Sequence, residues 1–402
     1  MADLPDARAL GLDMGSPEFL RDPYPIYARL RERAPLLSIP LEGHPNGRVL
    51  LLTPYAEVNQ VLGNSKAFSS DRRATYSDDS GQEPSMIFLD PPAHSRLRGR
   101  VALDFTPKRV AALERPIRRI IDELLDSAMA KGSFDLIADL ALPVPVLVIC
   151  ELLGIPESDR PGLAHWSHEV IDTTGFGAAG ENNQERNDAA NAELQRYFIG
   201  FVEARTAEPN EGLLSALMQP NADPLSLPEL VTMCVLLLIA GHETTVNLIG
   251  NGVRSLLRHP QQWRRLVDDR SLAASAVEEA VRFEAPVQRP LFRAAQGSVE
   301  LLGTRLEAGE QVLAAIAAAN RDPTVFDEPD RFDISRQPNR HLSFGRGVHF
   351  CLGAPLARLE GRLVFERLAE VAPKLRIVGD DGTWRPSTLF RGLRRLEVTA
   401  QP

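Results

Sequence analysis

The segment Phe344-Gly-Arg-Gly-Val-His-Phe-Cys351-Leu-Gly353 decides the fold of this chain. Its three glycines allow positive φ angles and close approach of another group to the backbone. Leucines recur at helical spacing from about Pro355 to Val371, so Cys351 stands just before a predicted helix. The positive end of a helix and its free amide N–H groups favour a thiolate over a thiol. Cys351 is therefore a candidate for chemistry, whereas Cys150 and Cys234 are interpreted as inert core residues.

Composition narrows the class of protein. Of the 402 residues 44% are hydrophobic and 25% are charged, as in a soluble globular protein. The net charge, 45 − 54 = −9, argues against a general nucleic-acid binder and an anionic-membrane binder. Three well-separated cysteines make no disulfide framework and fit a reducing compartment. No signal-peptide pattern is seen, and the longest uncharged apolar stretch (residues 230–241) is shorter than the ~20 residues that span a bilayer. We expect a soluble cytoplasmic protein.

Helical signals dominate the chain. The best-marked helix begins at Ser226-Leu-Pro-Glu229, which has capping-box spacing and a proline in the first turn. It is predicted to end at Arg258, before His259-Pro260, at a length of about 48 Å. Another helix, capped by Ser271, is predicted to end near Phe283. Strand-like runs are Arg48–Thr53, Val299–Leu302, Gln311–Ile316 and Leu393–Val398. The fold class is therefore mainly α with a small β region, in one domain over residues 1–402.

Three further patterns combine polar residues with helical spacing. Ala240-Gly-His-Glu-Thr244 lies within the long helix, where a threonine can return its hydroxyl to the carbonyl four residues earlier. Glu279 and Arg282 share one helical face, and a solvated surface pair is the simplest interpretation. Asp90-Pro-Pro-Ala-His94-Ser-Arg-Leu-Arg98 supplies a histidine and two arginines. A zinc-protease H-E-x-x-H is excluded, because Val246 stands where the second histidine would be.

The cysteine loop resembles the haem-binding loop of the cytochrome P450 family, F-x-x-G-x-x-x-C-x-G. Phe344, Gly347, Cys351 and Gly353 fill every fixed position, and His349 matches the usual bacterial extension. The resemblance covers nearly the whole chain. It implies a single cytochrome P450 fold with a long central helix over the haem. It also implies haem b (iron protoporphyrin IX) as cofactor and Cys351 as the thiolate ligand of the iron.

The resemblance also implies roles for the polar turn of the long helix. Ala240 and Gly241 would form an oxygen-binding groove. Glu243 and Thr244 would be the acid–alcohol pair that delivers protons to that groove. His242 would face away from the haem.

Two more sets of residues are assigned by the resemblance. One would bind the haem propionates: His94, Arg98, Arg293 and His349. Arg289 lies in the same loop as Arg293 and is the alternative to it. The other would form a buried ion network for haem incorporation: Glu279, Arg282 and Arg331. If the network is buried, removing one partner costs about 3–5 kcal/mol.

The implied activity is that of a monooxygenase, which uses O2 and inserts one oxygen atom into a medium-sized lipophilic molecule by hydroxylation or epoxidation. No clustered cysteine set for an iron–sulfur centre is apparent, so electrons would come from a separate ferredoxin and ferredoxin reductase. Between His94 and Arg119 eight Lys or Arg stand against two acids, and with Arg346 they would dock an acidic ferredoxin. No nucleic-acid or membrane partner is implied, and a monomer is expected.

Two alternative functions stay open on the sequence. A haem-thiolate enzyme could use peroxide or catalyse rearrangement or dehydration, although peroxide-using relatives usually lack the acid–alcohol pair. A non-enzymatic haem carrier or sensor would need no proton relay. The resemblance also implies five segments that would line the substrate pocket; they are apolar with scattered polar groups, which fits a terpenoid, fatty acid, macrolide or aromatic compound. They are Arg73–Leu89, Trp166–Asn183, Leu236–Ala240, Val287–Phe292 and Leu389–Phe390.

Overall fold

Helices dominate the computed structural model, which describes residues 4–74, 85–173, 183–210, 212–219, 222–290 and 293–400. The α-helices in these ranges are α1 (Pro17–Arg21), α2 (Tyr24–Arg33), α3 (Tyr55–Gly63), α4 (Ala93–Ala102), α5 (Pro107–Ala112), α6 (Glu114–Met129), α7 (Pro143–Leu153), α8 (Arg160–Asp172), α9 (Asn183–Ala207), α10 (Leu213–Leu217), α11 (Leu227–Arg258), α12 (Pro260–Asp268), α13 (Ala273–Phe283), α14 (Ile316–Ala319) and α15 (Ala354–Val371). The strands are β1 (Leu36–Pro40), β2 (Arg48–Leu52), β3 (Phe68–Ser69), β4 (Ser133–Asp135), β5 (Arg293–Ala295), β6 (Val299–Leu301), β7 (Thr304–Leu306), β8 (Gln311–Ala314), β9 (Arg376–Ile377), β10 (Thr383–Trp384), β11 (Leu393–Arg395) and β12 (Glu397–Thr399). The prediction of a mainly α fold with a small β region is confirmed.

The longest helix, α11, runs through the core. The Ser226 hydroxyl accepts a hydrogen bond from the Glu229 amide (3.3 Å), and the Glu229 carboxylate accepts one from the Ser226 amide (2.8 Å). The predicted start and end are both confirmed, because this capping box and His259-Pro260 are local signals. Helices α7, α9, α13 and α15 pack around α11. By length and mean hydropathy α11 could cross a membrane, but 72% of its apolar window is buried inside the protein, as in a core helix.

Glycines bring α15 against α11. A Cβ atom at Gly252 would lie 2.4 Å from the Phe365 ring, and one at Gly361 would lie 3.1 Å from Leu248. Any larger residue at position 252 would therefore push the two helices apart. Because α15 begins three residues after Cys351, this close packing fixes the cysteine relative to α11.

The strands form small sheets. The largest has the order β1-β2-β8-β5-β3, and a three-stranded sheet has the order β4-β12-β9. β2 and β8 are parallel, and the other neighbours in these sheets are antiparallel. The largest sheet shares a hydrophobic cluster with α2, α3 and α14, and a second cluster surrounds α11. The predicted strand 311–316 is shorter than expected because α14 begins at Ile316, and the predicted strand 393–398 is divided at Leu396.

The predicted cap at Ser271 is wrong. The carboxylate of Asp269 accepts hydrogen bonds from the Ser271 amide (3.0 Å) and the Ser271 hydroxyl (2.6 Å). These bonds start a 3₁₀ turn over Arg270–Leu272, and α13 begins only at Ala273. Aspartate caps at least as well as serine, so the residue two positions earlier determines the start.

Glu279 and Arg282 of α13 form a buried, forked ion pair. The side chains of both residues are fully buried, with Nε–Oε2 and Nη2–Oε1 distances of 2.7 and 2.8 Å. The remaining guanidinium hydrogens bond to backbone carbonyls of Asn320, Pro329 and Arg331. The pair is thus a structural tie to the segment before the cysteine loop, not a solvated surface pair.

Arg331 does not supply the third charge of this network. Its side chain is 55% exposed and pairs with Glu328, and only its carbonyl oxygen faces Arg282. The second cation at Glu279 is Arg336, with Nε 3.3 Å from Oε2. The loop turns the backbone of residue 331 inward, which directs its side chain outward. This corrects the role that the sequence assigned to Arg331.

Glu360 of α15 is a buried carboxyl group without an ion-pair partner in the described ranges. Its side chain is almost fully buried, and Oε2 has no hydrogen-bond partner among the described residues. Burial raises the pKa of this carboxyl well above its usual value. Glu360 is therefore held as the neutral acid.

We expect Arg282→Met to cost about 3–5 kcal/mol in the free energy of unfolding, because it leaves the Glu279 charge buried with Arg336 alone. Arg331→Met is the matched control and should unfold close to wild type, since its side chain lies in solvent. Urea denaturation measures both. Equal destabilisation by the two substitutions would place Arg331 in the network after all.

Glu360→Gln should stabilise the protein increasingly as pH rises. The folded-state pKa is raised, so above about pH 4.5 the unfolded state releases a proton that the folded state retains, and stability falls by up to about 1.4 kcal/mol per pH unit. A glutamine at position 360 has no proton to release in the unfolded state, so the variant does not lose stability in this way as pH rises. Thermal unfolding from pH 5 to pH 8 measures the difference, with Glu366→Gln as control because that carboxylate is paired with Arg362. A difference that does not change with pH would contradict a neutral Glu360.

Candidate functional site

The cysteine loop is closed by hydrogen bonds and by glycines. The Cys351 amide donates to the carbonyl of Phe344 (2.8 Å). Gly345 and Gly347 adopt positive φ angles of 71° and 66°. A Cβ atom at Gly347 would lie 3.0 Å from the carbonyl oxygen of Gly63, so only glycine fits between this loop and the end of α3. The loop thus holds the sulfur just ahead of α15.

Two opposed effects act on the Cys351 thiol. Burial raises its pKa, and this effect is the largest. The amides of Gly353 and Ala354 and the guanidinium groups of Arg98 and Arg358 act in the opposite direction. The helix-end effect inferred from sequence is present, but burial outweighs it. A metal ion at the sulfur would deprotonate the thiol outright.

A cluster of nitrogen donors lies beside the loop. The rings of His94 and His349 are 4.2 Å apart, and Arg98 donates to the carbonyl of Phe350 (2.7 Å). Burial, with Arg293, His94 and Arg98 nearby, lowers the pKa of His349 to about 3. Burial and Arg98 likewise lower the pKa of His94. The structure thus brings all four predicted propionate-binding residues together.

This donor cluster fits a bound dicarboxylate. Among the described residues, Nδ1 of His94 and Nε2 of His349 are buried and have no hydrogen-bond partner. Anionic carboxylates would satisfy these atoms and relieve the repulsion between the cations. A haem propionate pair has the required charge and geometry. Arg289, the alternative to Arg293, donates to Thr388 Oγ1 (3.0 Å), and burial lowers its pKa to about 10.

The polar turn of α11 is arranged as predicted at Thr244. Its hydroxyl donates to the carbonyl of Ala240 (3.1 Å), four residues earlier. Ala240 is exposed and Thr244 is half-buried, although most of this helix is buried. A Cβ atom at Gly241 would lie 3.1 Å from Ile149, so the opposite side of this turn is packed against α7. The Ala240–Thr244 face is the open one, where a ligand has access.

The Glu243 carboxylate forms an ion pair with a residue that the sequence analysis did not identify. Its Oε1 atom lies 2.5 Å from Nη1 of Arg385, and both side chains are buried. Asn247 donates to the same oxygen (3.4 Å), and Nδ1 of His168 on α8 lies 4.0 Å from Oε2. Arg385 is 142 residues away in the chain, outside every motif. The only available signal was that a buried carboxylate needs a cation.

His242 faces α8, away from the Ala240–Thr244 face. Its Nδ1 atom is 2.7 Å from the carbonyl of Leu238, and Nε2 is 3.3 Å from the hydroxyl of Ser167. Burial lowers its pKa to about 4, so the ring is neutral. It is a satisfied core histidine.

The basic stretch 94–119 is partly neutralised. Arg96 pairs with Asp223 and Glu229, and Arg118 pairs with Glu114 and Glu366. Next to it, a groove of 530 Å³ lies between α5, α6, α13 and α15. Arg358 and Arg362 line it.

Of the predicted substrate-pocket segments, residues 75–84, 174–182 and 291–292 lie outside the described ranges.

Comparison with known proteins identifies the family. Residues 181–370 match the family model "Cytochrome P450". The chain is 43% identical to vitamin D(3) 25-hydroxylase of Pseudonocardia autotrophica, over 97% of this chain and 96% of that protein. It is 39% identical to the cytochrome P450 monooxygenase PikC of Streptomyces venezuelae, over 96% and 94% of the two chains.

A solved structure also matches almost the whole of this chain. The cytochrome P450 PksS of the Bacillus subtilis bacillaene polyketide synthase superposes with a TM-score of 0.90 and 34% sequence identity. The match covers 97% of this chain and 100% of that chain. The expected fold, with its long central helix, is therefore confirmed. Fold, sequence identity and the donor cluster beside Cys351 agree, and the protein belongs to the cytochrome P450 family of haem-thiolate monooxygenases.

Proposed function

We propose that this monooxygenase inserts one oxygen atom of O2 into a medium-sized lipophilic molecule, by hydroxylation or epoxidation. The observation that carries the proposal is the position of the Thr244 hydroxyl, bonded to the Ala240 carbonyl on the accessible face of α11, directly after the buried acid Glu243. Haem, when bound, supplies the activation of O2. The chain supplies ligation, protons and the binding of substrate.

Cofactor binding divides among three parts of the chain. Cys351 is the proposed iron ligand, and Phe344 and Gly353 of its loop would help to hold the haem. Ala240 and Gly241 of α11 would hold it as well. The proposed propionate ligands come from α4, β5 and the cysteine loop: His94, Arg98, Arg293 and His349. Support for this set comes from the buried, unsatisfied nitrogen atoms of the two histidines.

The relay proposal concerns two side chains. The hydroxyl of Thr244 bonds to Ala240 and can accept a proton on its oxygen while donating its own. Glu243 is the acid behind it, and its carboxylate must leave or share Arg385 to reach that oxygen. A haem carrier or sensor has no use for such a pair. A peroxide-using or rearranging enzyme is the second candidate, but it needs no proton delivery to O2.

Substrate class follows from the pocket and the relatives. Leu236–Ala240 and Leu389–Phe390 are largely apolar and lie in the described part of the predicted pocket. One relative is named for hydroxylation of vitamin D(3), a lipophilic molecule of medium size. A substrate of that size and polarity fits an apolar pocket with few polar groups.

Electrons are proposed to come from a separate ferredoxin and its reductase. Arg358 and Arg362 in the groove between α5, α6, α13 and α15 are already paired with Glu278, Glu114 and Glu366. The charge that fits an acidic partner is that of the adjoining basic stretch, where Lys108, Arg109 and Arg115 are exposed. A cytoplasmic location is also proposed. Free cysteines at 150, 234 and 351 agree with a reducing compartment.

Cys351→Ser should abolish the thiolate-type spectrum of the reduced, carbon monoxide-treated protein, because a serine oxygen does not replace the anionic sulfur. Cys234→Ala is the matched control and should retain the spectrum, since that thiol is buried in the core. The absorption spectrum of each purified, haem-loaded protein measures this. A thiolate spectrum in Cys351→Ser would refute the ligand assignment.

Thr244→Val should lower product formation about 10²-fold and raise the hydrogen peroxide released per NADPH, because proton delivery is lost. The assay uses a ferredoxin system, labelled O2 and a panel of lipophilic compounds, with one labelled oxygen atom expected in the product. Thr245→Val is the control, since the Thr245 hydroxyl donates to Gly241 on the buried side. Product free of label would favour rearrangement or dehydration instead.

A further inference from the structure

Two segments of the predicted substrate pocket are paired with each other. Val287 and Phe390 oppose each other in an isolated antiparallel bridge. The amides of Gln288 and Arg391 each donate to a carbonyl of the opposite segment, both at 2.9 Å. Such a residue pair, with its hydrogen bonds on either side of it, brings the two side chains close together on one face. The two segments therefore form one piece of wall.

Alternation along the two segments separates a front face of this wall from a rear face. Val287 and Phe390 are half-buried, whereas the neighbouring residues Gln288, Leu389 and Arg391 are buried. Successive side chains of an extended segment point to opposite faces, so the side chain of Arg391 leaves on the side away from Phe390. Arg391 therefore acts on the wall from behind.

A buried ion pair joins the outer ends of the two segments. Glu284 directly follows α13, shortly before Val287, and Arg391 directly follows the second segment. Nε of Arg391 lies 2.6 Å from Oε2 of Glu284, and both side chains are buried. Tyr24 of α2 donates its hydroxyl to the same oxygen (3.1 Å). We call Tyr24, Glu284 and Arg391 the rear clamp.

The other nitrogen atoms of Arg391 are also bonded. Nη1 and Nη2 donate to the carbonyls of Leu20 and Arg21 at the end of α1, each at 3.0 Å. The central carbon of the guanidinium lies 3.7 Å from the centre of the Trp384 ring. A planar guanidinium with partners on all three nitrogen atoms is fixed in direction. Helices α1 and α2 thus hold the end of the second wall segment.

Two further arginines surround the Glu284 carboxylate. Nη1 of Arg254 lies 4.0 Å from Oε1, and Arg321 stacks on the Tyr24 ring at 3.5 Å. Burial raises the pKa of Glu284, but the guanidinium groups of Arg391, Arg321 and Arg254 outweigh it and hold that pKa below its usual value. The rear clamp is therefore an ionised pair at neutral pH.

The second wall segment belongs to a loop that is anchored on α11. The Arg385 amide donates to the carbonyl of Gly392 (2.9 Å), which closes the loop 385–392 at its base. A Cβ atom at Gly392 would lie 1.7 Å from Oδ1 of Asn247, so this backbone is pressed onto the helix. With the base fixed in this way, the position of Phe390 depends on what holds the rest of the loop.

We propose that the rear clamp positions Val287 and Phe390 and thereby determines which apolar molecules the substrate pocket accepts. A bridge of one residue pair fixes the two segments only weakly, so the buried side-chain bonds behind it decide how they stand to each other. The three clamp residues are positioning residues, because they act on a ligand through the wall. The inference rests on the apolar pocket proposed above.

The test measures the binding of N-alkylimidazoles to the haem-loaded protein, which needs neither turnover nor an identified substrate. The imidazole nitrogen coordinates the haem iron and shifts the Soret band, and the alkyl chain occupies the pocket. The N-methyl, N-butyl, N-octyl and N-dodecyl derivatives are compared in wild type, Tyr24→Phe and Glu284→Gln. Tyr55→Phe is the matched control, because the Tyr55 hydroxyl donates to the carbonyl of Arg340 (2.6 Å), outside the clamp.

The expected result is a change in selectivity for chain length. In Glu284→Gln the ratio of the dissociation constants of long and short derivatives should change by about fourfold or more, the effect of burying one methylene group. In Tyr24→Phe the ratio should change in the same direction, by more than the difference between wild type and Tyr55→Phe. Affinity for N-methylimidazole, which does not reach the wall, should stay near wild type in all variants.

Unchanged ratios in both clamp variants overturn the inference. An equal loss of affinity for every derivative does so too, because that is the result of a loosened fold and not of a displaced wall. If Glu284→Gln does not bind haem, Tyr24→Phe decides alone, since it removes one hydroxyl and no charge. A wild-type affinity that does not depend on chain length would refute the apolar pocket itself, which distinguishes its failure from a failure of the clamp.

Discussion

A carboxylate buried in a protein needs a cation, and this constraint ties distant parts of the chain together. Glu243 and Glu284 both pair with arginines of the C-terminal segment, Arg385 and Arg391, at 2.5 and 2.6 Å. Glu279 does the same with the loop that leads to the cysteine, through Arg282 and Arg336. In each case the acid lies on α11, on α13 or directly after α13, and a later segment packs against it. The segments that surround the haem site are thus placed by charge as well as by apolar packing.

How far the sequence predicted the structure depends on whether each signal was local. The start of α11 was predicted to the residue because Ser226 and Glu229 satisfy each other's amides within one turn. The loop at Cys351 was predicted equally well, since Gly345 and Gly347 adopt positive φ angles there. The start of α13 was misplaced because two residues, two positions apart, compete for the cap, and Asp269 prevails over Ser271.

Partners across the chain were harder to predict than the residues that need them. Spacing identified Glu279 and Arg282, but which arginine completes the network depends on how one loop turns, and Arg336 rather than Arg331 comes inward. Glu243 was identified by its motif, whereas its partner Arg385 was not. Side-chain direction in an irregular segment depends on tertiary contacts such as the one between Gly392 and Asn247. Periodicity carries no information about those contacts.

The closed base of the 385–392 loop also bears on how such enzymes diversify. Leu389 and Phe390 lie at its tip, while the amide-to-carbonyl bond between Arg385 and Gly392 lies at its foot. Substitutions of Leu389 or Phe390 can change the lining of the predicted substrate pocket without displacing Arg385 at the base of the loop. Acceptance of new compounds can therefore evolve by small steps, while the position of Arg385 beside Glu243 is kept.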